Sequence, residues 1–248
     1  CRTRYNLFVD PLVEIAGLSK SCGGRCPLRI AALSVGPAER VAIVGLDAAA
    51  AEVLVNLIIG AILPAEGEVR VFGRPTSVIA DADDWLATLD RFGLVSPRAV
   101  LPGGFTARQA IAAAFTLSLD PLAHGVSTDV ERLSREAKLP RAALDQPLEG
   151  ADPLTKARCR LARALAPNPA VLVLEHANAL VPAHAARFGG DIASIARRRG
   201  MAVVALTADA AFARAVADRV LRLDAATGRL AETAGWPWRP GRQTARTD

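Results

Sequence analysis

At 248 residues and 51% hydrophobic content the chain can bury one large α/β core or two small ones, and no apolar run reaches the roughly 18 to 20 residues that span a bilayer. The richest run, 53–63, is closed by Pro64-Ala65-Glu66, so any membrane role has to come through a partner. The net charge of +5 rests mainly on scattered arginines without an aromatic platform, and no nucleic-acid partner is expected.

In chain order, residues 11–18 and 28–34 read as short strands. Between them Cys22 and Cys26 flank Gly23-Gly24-Arg25. With no second Cys/His pair nearby, this is a glycine turn and no metal site is expected. Four cysteines are too few for a disulfide scaffold, and no apolar segment follows the opening Cys1-Arg2-Thr3-Arg4. A reducing, cytoplasmic setting is the expectation. Val41-Ala42-Ile43-Val44-Gly45 is a continuous apolar run ending in glycine, the pattern of a buried parallel strand. Residues 48–60 have helical composition with Gly60 as the stop, and 67–73 alternate as a half-exposed strand. Helical patterns run from Thr106 to Leu165, interrupted by a polar, proline-punctuated stretch at 121–129. Val171–Leu174 and Ala202–Leu206 are further buried strands with a helix at 183–198 between them; another helix and a strand at 219–223 follow. Strands alternating with helices predict a parallel sheet covered on both faces. From about Trp236 the periodicity is lost, and 235–248 reads as a loose basic tail.

A buried strand, a loop opened by glycine and a helix form the setting of a P-loop. Further pieces follow in a fixed order: Asn56-Leu57-Ile58-Ile59-Gly60, Pro64-Ala65-Glu66-Gly67-Glu68-Val69, and Leu101-Pro102 with Thr106–Ile111. Then come Arg158–Leu165, Asn168-Pro169 before the strand at 171–174, and Ala217-Asp218-Arg219-Val220 with Gly228-Arg229-Leu230. In this order and spacing the chain resembles the nucleotide-binding cassette of ABC transporters over residues 12–232. The resemblance implies a P-loop NTPase core with a parallel sheet, an antiparallel β subdomain, and an inserted helical subdomain at about 97–160. It also implies ATP and magnesium as ligands, a second cassette in a head-to-tail homo- or heterodimer, and an integral membrane permease docked through the helical subdomain. The chain would then lie peripherally at the inner face of the membrane.

The same resemblance exposes departures. Against G-x-x-x-x-G-K-[ST], the candidate nucleotide positions are Gly45, Asp47, Ala50, Ala51, Glu52 and Val53. Gly45 keeps the first glycine, whereas Ala50 replaces the second, Ala51 the lysine and Glu52 the magnesium-binding hydroxyl. Without the lysine the phosphates meet backbone dipoles alone. A carboxylate about 4 Å from a phosphate charge costs on the order of 4 kcal/mol at an effective dielectric near 20, unless it turns outward or recruits a cation. As a helix start the segment is sound, with Asp47 as a cap and alanines behind it.

Where the family has two acids after the second buried strand, this chain has Glu175-His176, the candidate catalytic positions. Glu175 can reach a metal-bound water; His176 is either a base or a structural or partner-contact histidine. The switch histidine corresponds to Ala208, and the Q-loop glutamine falls near Ser96-Pro97. The D-loop aspartate falls at Pro182 and the adenine-stacking aromatic near Cys22. The signature L-S-G-G-Q becomes Ala151-Asp152-Pro153-Leu154-Thr155, with Asp152 and Thr155 as its candidate positions. Weak ATP and magnesium binding without ordinary hydrolysis is therefore expected. The alternatives are an active ATPase with Glu52, Glu175 and His176 around a cation, and a soluble binding protein that has left transport.

Overall fold

The computed structural model describes residues 10–23, 27–79 and 81–233. The basic stretch 235–248 and Cys26 lie outside the described residues. The chain opens with β1 (Val13–Lys20) and β2 (Leu28–Val35), then β3 (Arg40–Val44), α1 (Ala48–Ile58), β4 (Glu66–Val71) and β5 (Arg74–Pro75). After α2 (Ala82–Leu89) and β6 (Phe92–Val95), three helices follow in succession: α3 (Ala107–Ala112), α4 (His124–Glu136) and α5 (Pro153–Ala164). Strands and helices then alternate through β7 (Val171–Glu175), α6 (Ala185–Arg199), β8 (Ala202–Leu206), α7 (Ala210–Val216), β9 (Arg219–Leu223) and β10 (Leu230–Glu232).

Strands β3, β7 and β8 are buried along their whole length. A strand of that kind needs apolar cover on both faces. Val41, Ile43, Val171, Val173, Val204 and Leu206 enter one apolar cluster, shared with α1 and the β1–β2–β4 layer. Their neighbours Ala42, Val44, Leu172, Leu174, Val203 and Ala205 enter a second cluster, shared with α3 to α7. These strands lie at the centre of a six-stranded sheet of order β10-β9-β3-β8-β7-β6. It is parallel except for the antiparallel β10–β9 pair. A separate antiparallel sheet has the order β2-β1-β4-β5.

The inserted helices rest on the sheet through β6. Gly93 makes this possible, because a Cβ there would stand 2.4 Å from the Ala164 carbonyl oxygen at the end of α5. The first helix is shorter than the 48–60 pattern. It stops at Ile58, and Gly60 takes a φ of +74°, a left-handed turn that favours glycine. The polar stretch 121–129 is only partly a break, since α4 begins at His124 and buries Val130 and Leu133. Helix α2 and strand β6 were not anticipated.

Candidate nucleotide site

Gly45 leaves β3 with φ +100°, and a Cβ there would lie 3.0 Å from the Leu223 carbonyl oxygen of β9. The loop before α1 is only Gly45-Leu46-Asp47. Asp47 is the N-cap: its carboxylate accepts the Ala50 N–H at 2.8 Å, and its carbonyl accepts the Ala51 N–H at 2.9 Å. Residues 48–50, which the phosphate-loop pattern would leave as loop, are therefore helix, and the Ala50 amide serves its cap. Ala51 is fully buried in the apolar cluster, and half-buried Val53 packs against the same cluster.

Glu52 departs from the expectation of an uncompensated acid. Arg98, three residues beyond the end of β6, donates Nη1 to Glu52 Oε1 at 2.8 Å. The same guanidinium donates Nη2 to Glu175 Oε2 at 2.8 Å and Nε to both Glu175 oxygens at 2.9 and 3.1 Å. One planar cation thus joins the first turns of α1 to the end of β7, in a fork geometry that suits arginine. The cation that Glu52 recruits is a side chain of this protein. The hydrogen bonds to Glu175 are the largest cause raising the Arg98 pKa above its ordinary value, against an opposing effect of burial. Arg98 was missed in the sequence, where two acids at cation-binding positions were the only hint of it.

His176, next to Glu175, takes no part in this triad. Its backbone is left-handed at φ 43° and ψ 37°, its N–H donates to the Leu206 carbonyl at 2.8 Å, and its Nε2 is buried without a hydrogen-bond partner among the described residues. Ala208 is exposed in the turn after β8, where Thr207 bonds Asn178 at 2.8 Å and Asp209 caps α7. Asp152 and Thr155 lie together at the start of α5. Asp152 accepts the N–H groups of Leu154 and Thr155 at 2.9 and 3.0 Å and the Thr155 hydroxyl at 2.6 Å. The Thr155 hydroxyl, then the backbone donors, hold the Asp152 carboxyl below the usual range. Cys22 is half-buried against the β1–α1 cluster. Among the described residues no group of three or more His, Cys, Asp or Glu could hold a metal ion.

A parallel sheet with a glycine turn entering a helix at the C-terminal end of a central strand is the setting of P-loop NTPases and of dinucleotide-binding folds alike, and its structural neighbours place this chain with the P-loop NTPase fold. No profile of a known protein family matches the chain. The solved structure of cbiO1 from Clostridium perfringens, part of the ABC transporter complex cbiONQ, superposes with a TM-score of 0.73 at 17% identity, covering 90% of this chain and 87% of that one. Hemin import ATP-binding protein HmuV of Streptomyces coelicolor is 30% identical over 234 residues, which is 92% of this chain and 79% of the relative. Methionine import ATP-binding protein MetN of Caulobacter vibrioides is 32% identical over 212 residues, 85% of this chain. The chain spans only 62% of that relative's length. The chain belongs to the ATP-binding cassettes of the ABC transporters.

Proposed function

We propose that this chain is a cassette subunit of an ABC transporter that binds magnesium–ATP weakly and does not hydrolyse it, acting as a structural or regulatory partner. The observation that carries this reading is Arg98 between Glu52 and Glu175. The three side chains sum to one negative charge, so a triphosphate approaching them meets net repulsion and no free cation. Ala51 offers no positive charge, and the N–H groups of Ala50 and Ala51 are already taken by Asp47. The residues present therefore fit a magnesium–nucleotide poorly. Asp152 adds an acid at the signature position, where its carboxylate takes the N–H groups at the start of α5.

The family's head-to-tail pairing with a second cassette, and its docking to an integral membrane permease at the cytoplasmic face, are carried over to this chain. Among the described residues no helix is long and apolar enough to cross a membrane, so a permease is the membrane partner of this reading. Docking falls to the helical subdomain at about 97–160. Val100, Phe115 and Leu117 support this, being 77%, 38% and 96% exposed in that segment. The import names of HmuV and MetN favour an importer.

A second reading, an active ATPase with an atypical base, draws on His176, whose strained backbone and unpartnered buried Nε2 are features found at reactive sites. Titrating the purified chain with a labelled ATP analogue, with and without magnesium, separates the two. Binding that stays weak and gains nothing from magnesium supports the first. Tight, magnesium-dependent binding supports the second.

A further inference from the structure

The loop after β6 is held at three successive residues. Arg98 makes the three-way tie to Glu52 and Glu175, and its backbone N–H donates to the oxygen of buried Ser96 at 3.0 Å. Arg160 of α5 donates to the Ala99 carbonyl at 3.0 Å, and Arg163 donates to the Val100 carbonyl at 3.1 Å. This loop leads into α3, so its ties join the contact of α5 with β6 in setting how the inserted helices sit on the sheet. Loss of function by drift does not explain an arginine set between two acids that are 46 and 77 residues away in the chain. Glu52 and Arg98 are complementary in charge: the acid gives a second partner to the guanidinium group that the buried Glu175 requires.

We propose that Arg98 is the resident cation of this site, a tethered guanidinium that holds loop 96–100 and the inserted helices on the sheet with no ligand bound. The inference rests on the reading above that the site does not work through magnesium and ATP. A free divalent ion leaves when its concentration falls or a chelator is added. A tethered arginine does neither, and it does not lose its charge at any working pH. Closure of this loop is then a permanent state of the chain, and nucleotide is no longer its signal. Arg98 acts as a positioning residue, through the loop it anchors.

Backbone hydrogen exchange in the full chain, read at the Arg98 and Ala99 amides that donate to Ser96, tests this. In the wild type the loop exchanges slowly, and EDTA, magnesium, or magnesium with ATP leave its rate unchanged. R98A speeds exchange there about tenfold or more, as expected when a local opening loses its main tie, and R98K recovers part of the protection. Because R98A strands the buried Glu175, the double variant R98A/E175Q removes that burden: it regains global stability while the loop stays fast. An R98A loop as protected as the wild type, a loop that closes again in the double variant, or a wild-type loop that slows on adding magnesium–ATP would overturn the proposal. Tight magnesium–ATP binding by a wild type whose loop rate does not change would overturn the reading of function and keep the clamp.

Discussion

Within the Glu52–Arg98–Glu175 triad the two acids are not equal. The Glu52 side chain is 47% exposed and that of Glu175 only 5%. An exposed pair contributes about 0–1 kcal/mol, whereas stripping the partner from a buried charge costs about 3–5 kcal/mol. Arg98 is itself 43% exposed, which pulls its tie to Glu175 toward about 2 kcal/mol. Glu175 is therefore the anchor and Glu52 the lighter contact. Gly45 is the other residue whose identity the geometry demands. Gly45→Ala forces a side chain into a left-handed backbone at 3.0 Å from the Leu223 carbonyl, and the expected cost is about 1–3 kcal/mol in denaturant unfolding. A change below 0.5 kcal/mol would show that the β3–β9 approach is loose. Arg98 was illegible in the sequence because its partners lie on distant elements; Ala51 was legible as a lost lysine, but its complete burial was not.

Between elements, ion pairs tie the inserted helices to the core. Arg199 of α6 donates to both oxygens of Glu136 on α4 at 2.7 and 2.6 Å. Those hydrogen bonds are the largest cause holding the Glu136 pKa below its ordinary value. A carboxyl whose pKa is lowered on folding contributes stability above its ordinary value, and that contribution disappears as pH falls through the lowered one. Chemical denaturation from pH 6 down to about pH 2 should therefore show part of the acid loss missing in Glu136→Gln. Superimposable pH profiles would contradict this. Asp191 of α6 bonds Lys138 at 2.6 Å and buried Arg158 of α5 at 3.3 Å. Asp191→Ala leaves the Arg158 guanidinium buried without its acid, and a loss of about 3 kcal/mol is expected in the same assay. At this scale the sequence was most readable where a strand is apolar throughout, as in β3, β7 and β8. It was least readable at β6, four residues containing Gly93, and at the start of α4, where His124-Gly125 carries no helix signal.

On the proposed pairing, the altered positions would fall on both halves of a head-to-tail dimer. In the family's arrangement each nucleotide lies between one subunit's P-loop and the other's signature. In the proposed reading this chain departs at both, through Ala51 and Glu52 on one side and Asp152 on the other. A heterodimer with an intact cassette would then contain no unaltered composite site. The expected outcome is that adding this chain to a cassette that pairs with it lowers that partner's ATP turnover; a rise would contradict the pairing scheme. Short motif pieces in a fixed order, from Asn56-Leu57 to Gly228-Arg229-Leu230, made the family legible along most of the chain, because each piece is local. How the site balances its charges was not, since it depends on side chains brought together only by the folded sheet.

Phosphate release from ATP by the purified chain, with magnesium, is the direct measurement of whether this site still turns over. A site whose cation is its own arginine predicts a rate equal to the protein-free control, the same in wild type and His176→Ala. Turnover at a rate typical of transport ATPases, lost in His176→Ala, would contradict it.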